Sequence, residues 1–356
     1  MISPGATLGV LGGGQLGRML ALAAARLGLN VAVYSDEPDA PACRVAAHAT
    51  VGSYSDCAAV AEFASRCDVV TYEFENVPAD TAQRLEAAGV LVRPGSQALA
   101  VSQDRLLEKQ FLRRLGAETA PFAAVEGEAS LAAAIETVGL PAILKTRRLG
   151  YDGRGQARLQ GPEDAAAAWN AIGRAPAILE GFCPFVREVS VIAARGSDGG
   201  FAAYDLSENL HESGILAYAR APAASSSQTA SAAEALARRL AEGLGYVGVF
   251  AIEFFELPDG ALWANEWAPR VHNSGHWTAD ACLTGQFEQH VRAVCGWPLG
   301  DPRRLYAAEM RNLMGSDAED WAQLAADPDA RLWLYGKREA REGRKMGHVT
   351  RLFSNT

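Results

Sequence analysis

Hydrophobic positions in the first part of the chain switch between a strand-like and a helix-like period. The apolar run ATLGVL precedes a helical period from Gln15 through Leu27, which Gly28 ends. The strand-like runs NVAVY and DVVTYEF follow. Strands that alternate with helices are typical of a parallel sheet with crossover helices. The pattern therefore predicts an α/β unit at the start of the chain.

The pattern changes to α+β after the Pro-Gly step at residues 94–95, where a long helix with apolar and charged faces begins. Residues 119–182 predict a strand, a helix, the strand PAILKTR, the loop LGYDGRGQ, a second strand and helix, and the strand AILEGF. Residues 186–268 predict mostly strands around one alanine-rich helix, and residues 282–356 predict helices and a basic tail. The predicted domain bounds are 1–98, 99–182 and 183–356.

Composition limits the classes of protein to which the chain can belong. Its 356 residues exceed the usual size of one core, which favours two or three domains. The formal net charge of −9 argues against general nucleic-acid binding. We expect no membrane span and no secretory signal, and hence a cytoplasmic location. The six cysteines lack paired or zinc-like spacing, so we expect neither disulfides nor zinc.

A glycine-rich turn joins the first strand to the first helix. Residues 12–17 satisfy G-x-G-x-x-G, and Asp36 stands at the end of the next strand. Such glycines allow close backbone approach, and amide groups at a helix N-terminus favour an anion. The motif alone leaves three interpretations open: a dinucleotide site, a site for another phosphate or small anion, and a purely structural tight turn.

Two carboxylates follow the third strand of this unit, in the stretch TYEFENVP. Glu73 and Glu75 lie at the carboxyl end of a parallel strand, where open α/β sheets bind their ligands. A carboxylate at this place suits an amine or sugar hydroxyls rather than the phosphate of a nicotinamide cofactor. The alternative is a strand that ends in solvent with exposed acids.

The stretch AIEFFELPDGALWANE predicts a hairpin around its Asp-Gly turn. A loop of two or four residues pairs Glu253 with Glu266, and only an odd loop breaks that register. The two carboxylates would face each other among apolar neighbours that include Leu262 and Ala264, with Cβ atoms about 5 Å apart. Such a pair is favourable if Mg²⁺ bridges it, with Asn265 as a nearby oxygen ligand. A shared proton or a different register is the alternative.

Cations stand on both sides of the glycine-rich loop in the middle unit. Lys145 ends the strand before it, and RRLGYDGRGQ follows. Three glycines among cations can close over a triphosphate with backbone amide groups, although the loop has no Walker A G-K-[ST]. Glu180 and Glu188 add acceptors for an adenine amino group and ribose hydroxyls. An ordinary hairpin with a basic tip is the alternative.

A dense polar cluster follows Glu266 in the stretch NEWAPRVHNSGHWT. It contains Arg270, His272 and Asn273 directly after a run that is expected to lie in the core. So many polar side chains in a stretch next to the core indicate a functional site rather than an ordinary surface loop. The other histidines considered are expected to be structural or exposed: His48, His276 and His290.

Eight stretches, taken in order along the chain, resemble one enzyme family. They are GGGQLGRM, TYEFENVP, SQDRLLEK, ILKTRRLGYDGRGQ, LEGFCPFVREVSV, ENLHESGI, NEWAPRVHNSGHWT and YGKREAREGRKMGHV. The chain resembles the N5-carboxyaminoimidazole ribonucleotide synthases, which are ATP-grasp ligases of purine biosynthesis. The resemblance covers nearly the whole chain, and APRVHNSGHWT is its specific part.

The resemblance implies an ATP-grasp architecture of α/β and α+β units. It has an N-terminal Rossmann-like parallel-sheet domain, a small ATP-grasp lid and a C-terminal mixed α+β domain. The implied substrates are ATP, bicarbonate and 5-aminoimidazole ribonucleotide, and the products are ADP, phosphate and the N5-carbamate, formed through carboxyphosphate. The implied metal is Mg²⁺, or Mn²⁺ in its place. The resemblance also implies a homodimer, and the net charge and the lack of a long apolar run argue against nucleic-acid and membrane partners.

Roles follow from the resemblance for each matching position. The ATP-binding positions are Arg105, Lys145, Gly150, Tyr151, Asp152, Gly153, Arg154, Gly155, Gln156, Glu180, Gly181, Phe182, Cys183, Glu188, His211, Asn265 and Glu266. The metal ligands are Glu253 and Glu266. The ribonucleotide contacts are Gly14, Gln15, Leu16, Glu73, Tyr151, Arg154, Arg270, Lys337, Arg344 and Lys345. The catalytic positions are Lys145, Arg270, His272 and Asn273.

Two positions depart from the family pattern. Leu149 stands where another glycine is frequent and should stiffen the loop, whereas Arg154 replaces a common lysine and keeps its charge. The tail residues 337–345 would form a solvated helix face without the resemblance and a phosphate clamp with it. Either the departing phosphate or His272 would take the proton of the attacking amine. The competing functions are an NAD-dependent oxidoreductase, an ATP-grasp ligase for another acid, and a regulator that binds ATP without turnover.

Overall fold

The computed structural model describes residues 1–150, 153 and 155–354, and the first part of these is an α/β layer. Its elements are β1 (Thr7–Leu11), α1 (Gln15–Arg26), β2 (Asn30–Ser35), β3 (His48–Val51), α2 (Cys57–Ala64), β4 (Val69–Tyr72) and α3 (Ala79–Ala87). The four strands run parallel in the order β3-β2-β1-β4. This is the arrangement that the alternating pattern predicts, because parallel neighbours need crossover connections.

Two helices, α4 (Ser96–Ser102) and α5 (Arg105–Arg114), follow where the sequence predicts one long helix. The chain breaks between them because Asp104 caps α5 and accepts hydrogen bonds from the first amide groups of that helix. Asp104 also forms an ion pair with Arg147 at 2.8 Å. The loop that contains Arg147 is thereby anchored to the start of α5.

A smaller antiparallel sheet comes next along the chain. Its elements are β5 (Phe122–Val125), α6 (Glu128–Val138), β6 (Ala142–Thr146), β7 (Gln156–Leu159), α7 (Ala165–Ala171) and β8 (Ala177–Gly181). The strand order is β5-β8-β6-β7, and the two helices pack on the sheet through a small apolar core of their own. The predicted order of strands and helices in this unit is confirmed.

A nine-stranded sheet dominates the second half of the described residues. Its elements and the helices around it are β9 (Arg187–Arg195), β10 (Phe201–Ala203), β11 (Ser207–Glu212), β12 (Ile215–Ala221), α8 (Ser227–Gly243), β13 (Gly248–Glu256), β14 (Leu262–Ala268), α9 (Thr278–Ala281), α10 (Gln286–Val294), β15 (Ala307–Met314), α11 (Trp321–Ala326), β16 (Ala330–Leu334) and β17 (Lys345–Phe353). The order is β14-β13-β9-β11-β12-β15-β17-β16, with β10 beside β9. Strand β14 therefore lies at an edge.

The end of the chain differs from the prediction of helices and a basic tail. Strands β15, β16 and β17 extend the large sheet, and residues 337–344 form an irregular loop between β16 and β17, not a helix face. Strand β17 is buried over most of its length, so its sequence lacks a clear alternation of apolar and polar positions. Short buried strands of this kind cannot be told from helix segments by period alone.

One apolar core joins the parallel layer to the large sheet. Leu20 of α1, Val291 of α10, Val249 of β13 and the large side chain of Trp277 belong to the same buried cluster. Complete burial of each such side chain contributes about 1.5–3 kcal/mol. The core therefore fixes the carboxyl ends of β1 and β4 next to β13 and β14. Among the described residues, no helix has the length and apolarity that crossing a membrane requires.

Candidate active site

One large cavity opens where the parallel layer, the smaller sheet and the large sheet meet. Its volume is about 640 Å³, a size typical of small-molecule sites. The predicted site residues that line it are Gln15, Leu16, Glu73, Arg105, Lys145, Gly150, Gly153, Gln156, Phe182, Glu188, His211, Glu253, Asn265, Glu266, Arg270, His272, Asn273 and Lys345. Residues distant in sequence are thus brought together around one space.

Other predicted site residues are placed differently. Those in the described part of the chain that do not line the cavity are Gly14, Gly155, Glu180, Gly181, Cys183, Lys337 and Arg344. Glu180 is connected to it nonetheless, because its carboxylate lies 3.0 Å from Nζ of Lys145. The predicted residues Tyr151, Asp152 and Arg154 lie outside the described residues.

The glycine-rich turn already holds an anion, and this anion belongs to the chain itself. Glu73 follows β4, and its two carboxylate oxygens accept hydrogen bonds from the amide groups of Gly14 at 2.5 Å and Gly17 at 2.7 Å. The side chain is only 7% exposed. Burial raises its pKa, although the two amide groups act in the opposite direction. A cofactor phosphate would have to displace this carboxylate, which argues against the dinucleotide interpretation.

The paired glutamates are found as predicted, but a different turn and a bulge produce the pairing. The loop has three residues, 258–260, because the amide of Leu257 donates to the carbonyl of Ala261. Such an odd loop would misalign the glutamates. One extra residue in β14, Asn265, restores the register, so that Glu253 lies opposite Glu266.

Because of the bulge, two of the apolar neighbours predicted for the pair are wrong. Ala264 pairs with Phe254, and Trp263 pairs with Phe255. Because side chains alternate between the two faces of a strand, Ala264 and Leu262 turn to the buried face and not to the face of the glutamates. Ala264 indeed lies in the core together with Phe254.

The two glutamates have different electrostatic surroundings. Burial opposes the charge on Glu266, but Nη1 of Arg105 at 2.9 Å holds its pKa below the usual range. Burial and the neighbouring Glu266 raise the pKa of Glu253 above the usual range. Without a cation the pair therefore favours one proton, on Glu253, and a divalent cation would replace that proton.

Carboxylates and cations also meet at the other end of the cavity. The Glu180 carboxylate lies 3.3 Å from Nζ of Lys109 and 3.0 Å from Nζ of Lys145. Burial opposes its charge, yet the two ammonium groups lower its pKa to about 2. Its Oε1 atom is buried without a hydrogen-bond partner in the described part of the chain. His211 lies 3.1 Å from Glu188, which raises the pKa of this histidine against the effect of burial.

The polar cluster after Glu266 lies beside the glutamate pair. Arg270 forms an ion pair with Glu75, and Nε2 of His272 lies 3.4 Å from Oε1 of Glu253. Burial, followed by Arg270, lowers the pKa of His272 to about 3, so the imidazole is neutral at pH 7. Both polar side-chain atoms of Asn273 are buried without a partner among the described residues. The cluster thus brings a cation and a residue with a buried, unpaired amide into the lining of the cavity.

Three protein-family models match successive parts of the chain. They are the ribonucleotide synthetase preATP-grasp domain at residues 5–103, the ATP-grasp domain at residues 110–287 and the phosphoribosylaminoimidazole carboxylase C-terminal domain at residues 308–356. The N5-carboxyaminoimidazole ribonucleotide synthase of Brucella melitensis is 54% identical, over 100% of this chain and 98% of that protein. The chain belongs to the N5-carboxyaminoimidazole ribonucleotide synthase family.

Solved structures of the synthase family agree with the fold. An N5-carboxyaminoimidazole ribonucleotide synthetase in complex with ADP has a TM-score of 0.96 and 41% identity, and the match covers 100% of this chain and 94% of that one. The Aspergillus clavatus synthase in complex with ADP and 5-aminoimidazole ribonucleotide has a TM-score of 0.90 and 34% identity, with coverage of 98% and 94%. The predicted ATP-grasp architecture is therefore confirmed.

The synthase fold brings further residues to the cavity that the sequence analysis did not assign. Glu75 holds Arg270, and Glu108 lines the cavity three residues after Arg105. Lys109 reaches Glu180 from the same helix. Glu108 and Lys109 lie in the stretch SQDRLLEK that carries part of the resemblance, and their spacing from Arg105 would place them on one helix face. This spacing from Arg105 is the feature of the sequence that could have identified Glu108 and Lys109 as site residues.

The basic loop before β17 lies close to the N-terminal layer of the synthase. Nζ of Lys337 donates a hydrogen bond to the carbonyl of Lys345 at 2.7 Å. Burial and the neighbouring Arg344 lower the pKa of Lys337 to about 8, and Glu73 acts against this shift. Gly336 accepts a hydrogen bond from Arg44 at 2.7 Å. The alternative of a solvated helix face is therefore wrong, because these residues lie in a loop, and the phosphate clamp stays a prediction.

Proposed function

We propose that this protein carboxylates 5-aminoimidazole ribonucleotide with bicarbonate at the expense of ATP, and so acts as a C–N bond-forming ligase of purine biosynthesis. The observation that carries the proposal is the placement of paired Glu253 and Glu266 between two groups of residues. Lys145 and Glu180 lie on the nucleotide side, and Arg270 lies on the anion side. An oxidoreductase would need neither the carboxylate pair nor the anion site beside it.

The carboxylate pair suits Mg²⁺, or Mn²⁺ in its place. Glu253 and Glu266 supply hard oxygen ligands, and the amide oxygen of Asn265 is adjacent in the bulge. The described residues contain no cluster of three or more acidic, histidine or cysteine side chains that could hold a metal. Magnesium usually completes its coordination with phosphate oxygens and water, so two carboxylates are sufficient. When bound, the metal would neutralise negative charge on the reacting phosphates.

The nucleotide would enter with its base near Glu180 and its phosphates towards the glutamate pair. The unpartnered Oε1 of Glu180 can accept a hydrogen bond from an adenine amino group. Glu188 and the nearby His211 can bind ribose hydroxyls. Lys145, whose ammonium group lies between Glu180 and the cavity, would attract the phosphates. Phosphoryl transfer depends mainly on such positioning and charge neutralisation.

Bicarbonate would bind in the cluster after Glu266. Its negative charge faces Arg270, and the unpaired amide of Asn273 can hydrogen-bond to its oxygens. Phosphorylation converts bicarbonate to carboxyphosphate, which releases CO₂ next to the amine of the ribonucleotide. A site shielded from water protects this intermediate from hydrolysis. Glu73, Gln15 and Leu16 line the part of the cavity that is left for the ribonucleotide.

The proton of the attacking amine is better assigned to the departing phosphate than to His272. Nδ1 of His272 accepts from the amide of Ser274 at 3.4 Å and lies 2.9 Å from Oγ of the same serine, so with Nδ1 as the acceptor of both contacts the imidazole proton lies on Nε2. Nε2 lies 3.4 Å from Glu253, so it acts there as a donor and has no free lone pair for the amine. The His272→Asn variant should lose rate while the pH profile of kcat keeps its acidic limb. Disappearance of that limb would reassign His272 as the base.

The decisive experiment is ADP release by the purified protein with Mg-ATP and bicarbonate, with and without freshly prepared 5-aminoimidazole ribonucleotide. Release should rise strongly when bicarbonate and the ribonucleotide are both present. Glu266→Gln should reduce it by more than the about 10- to 100-fold that is typical of residues around a metal site. Glu242→Gln, an exposed position at the end of α8, is the matched control. ADP release that no amine stimulates would refute the proposed function.

Three expectations accompany this function as proposals. We propose the domain bounds 1–98, 99–182 and 183–356, a homodimer and a cytoplasmic location. The break between α4 and α5 lies at residues 103–104, a few residues beyond the first proposed boundary, because residue 98 belongs to α4. Limited proteolysis tests the bounds, and sedimentation velocity tests the dimer. A monomer at micromolar concentration would contradict the proposed assembly.

A further inference from the structure

One face of α5 is directed at the edge strand that carries Glu266. Arg105, Glu108 and Lys109 occupy positions i, i+3 and i+4 of the helix, and such positions lie on the same face. Arg105 pairs with the Glu266 carboxylate at 2.9 Å. The other two side chains do not contact a carboxylate of the pair. They bind the backbone of β14 instead.

The two backbone contacts lie on either side of the bulge. Oε1 of Glu108 accepts a hydrogen bond from the amide of Trp267 at 2.7 Å, and Nζ of Lys109 donates to the carbonyl of Ala264 at 3.4 Å. Asn265 and Glu266 stand between these two residues. A bulge interrupts the ladder with the neighbouring strand and leaves backbone groups that need other partners. Helix α5 supplies two of those partners at the edge of the sheet, and the carbonyl of Glu118 accepts a hydrogen bond from the amide of Ala264.

Burial opposes ionisation of both side chains, because it raises the pKa of Glu108 and lowers the pKa of Lys109. Glu108 is 3% exposed and Lys109 is 2% exposed. Burial of ionisable groups commonly costs as much free energy as their interactions return, and well-packed apolar residues would stabilise a helix on a strand at least as well. Apolar residues could not, however, bind the amide and the carbonyl that flank the bulge. The contacts therefore fix a local geometry rather than contribute stability.

The bulge determines the register on which the metal site depends. The three-residue turn would put the glutamates out of line, and the extra residue at position 265 returns Glu266 to the position opposite Glu253. Any slip of β14 at this point would turn Glu266 to the other face of the sheet. Lys109 also reaches Glu180 at 3.3 Å, so the same helix connects the bulge to the nucleotide side of the cavity.

We propose that Glu108 and Lys109 are positioning residues that clamp the bulge of β14 and thereby hold Glu266 opposite Glu253. The proposal rests on the proposed function in one respect, namely that these two glutamates bind the metal of a metal–nucleotide complex. It assigns a role to two side chains that bind the backbone beside the carboxylate pair and not the carboxylates themselves.

The test compares the binding of Mn²⁺ in the presence of ADP, measured from the electron paramagnetic resonance signal of free Mn²⁺. Glu108→Leu removes the acceptor for the Trp267 amide and should weaken Mn²⁺ binding about 10- to 100-fold, the range found for residues that orient metal ligands. Glu108→Gln keeps an acceptor oxygen and should stay within about threefold of the unmodified protein. Gln110→Leu makes the same kind of change on the exposed side of α5 and is the matched control.

Lys109→Met is the second variant, because it replaces the ammonium group by an apolar side chain of similar length. It should weaken Mn²⁺ binding by a similar factor and should also weaken ADP binding, since Glu180 loses one of its two cations. If Glu108→Leu does not fold, this variant decides the question when Mn²⁺ binding is measured at saturating ADP, which removes its separate effect on ADP binding. Hydrogen exchange of the Trp267 amide, measured without nucleotide or metal, should be faster in Glu108→Leu than in the control.

The proposal is overturned if the folded Glu108→Leu and Lys109→Met variants bind Mn²⁺ with ADP as the unmodified protein does. It is equally overturned if Glu108→Gln is as defective as Glu108→Leu, because the charge and not the hydrogen bond would then matter. These readouts do not depend on the acceptor substrate. If the unmodified protein binds Mn²⁺ with ADP but releases no ADP with 5-aminoimidazole ribonucleotide, the proposed function fails while the clamp is still tested.

Discussion

Buried His290 should make the stability of this protein depend on pH. The side chain lies in α10, is 0% exposed and joins two other elements. Its Nδ1 accepts a hydrogen bond from the amide of Val249 in β13 at 3.0 Å, and its Nε2 lies 2.8 Å from Oγ1 of Thr71 in β4. The residues that follow β4 include Glu73 of the candidate site. The informative perturbation is His290→Gln, which can keep both hydrogen bonds but cannot be protonated.

The magnitude follows from the pKa of the histidine in the two states. Burial lowers the pKa of His290 to about 3, whereas an exposed histidine in the unfolded chain has a pKa of about 6.5. Above pH 6.5 neither state is protonated, and the residue contributes no pH dependence. As the pH falls from about 6.5 towards 3, only the unfolded chain binds the proton, so the free energy of unfolding decreases. Between pH 7 and pH 5 this loss amounts to about 2 kcal/mol.

The assay is urea unfolding followed by tryptophan fluorescence at pH 7 and at pH 5. The decrease in unfolding free energy between the two values should be about 2 kcal/mol smaller in His290→Gln than in the unmodified protein. His48→Gln, at an exposed position of β3, is the control and should leave the decrease unchanged. An equal decrease in His290→Gln and the unmodified protein would refute the reasoning, because the proton would then bind elsewhere.

Three further predictions concern the cavity. Glu180→Gln leaves Lys109 and Lys145 near each other without their shared carboxylate, so it should lower the unfolding free energy by about 3 kcal/mol or more in thermal or urea unfolding; a loss below about 1 kcal/mol would contradict the buried triad. Leu149 has a φ of 62°, in the left-handed region that β-branched residues rarely adopt. Leu149→Ile should therefore raise KM for ATP about fivefold. An unchanged KM would show that the loop does not keep this conformation with ATP. Glu73 occupies the amide groups of the glycine-rich turn, so the fluorescence of NADH should not change when the protein is added. Micromolar binding of NADH would revive the dinucleotide interpretation.

The sequence by itself determined the features that depend on local patterns. The period of apolar residues predicted the parallel layer and the smaller sheet, because hydrophobic alternation reflects which side of an element is buried. The motifs placed Glu253 and Glu266, Lys145 and the cluster after Glu266 among the candidates, and these residues do line one cavity. The roles of individual side chains remain predictions.

Only the tertiary structure decided which partners these residues have. The occupant of the glycine-rich turn is Glu73, which comes from another strand, and no local pattern shows that a carboxylate fills an anion site. Strand β17 escaped prediction because burial over most of its length removes the alternation of apolar and polar positions.

The register of the glutamate pair shows most clearly what the sequence determined and what the tertiary structure decided. Sequence predicted that Glu253 faces Glu266 from an even hairpin loop, whereas the structure has an odd loop and a compensating bulge at Asn265. The bulge is bound by Glu108 and Lys109, which lie far from it in sequence. Local propensity determines which residues form strands, but contacts between distant segments determine how those strands align, because only the folded chain brings their backbone groups together.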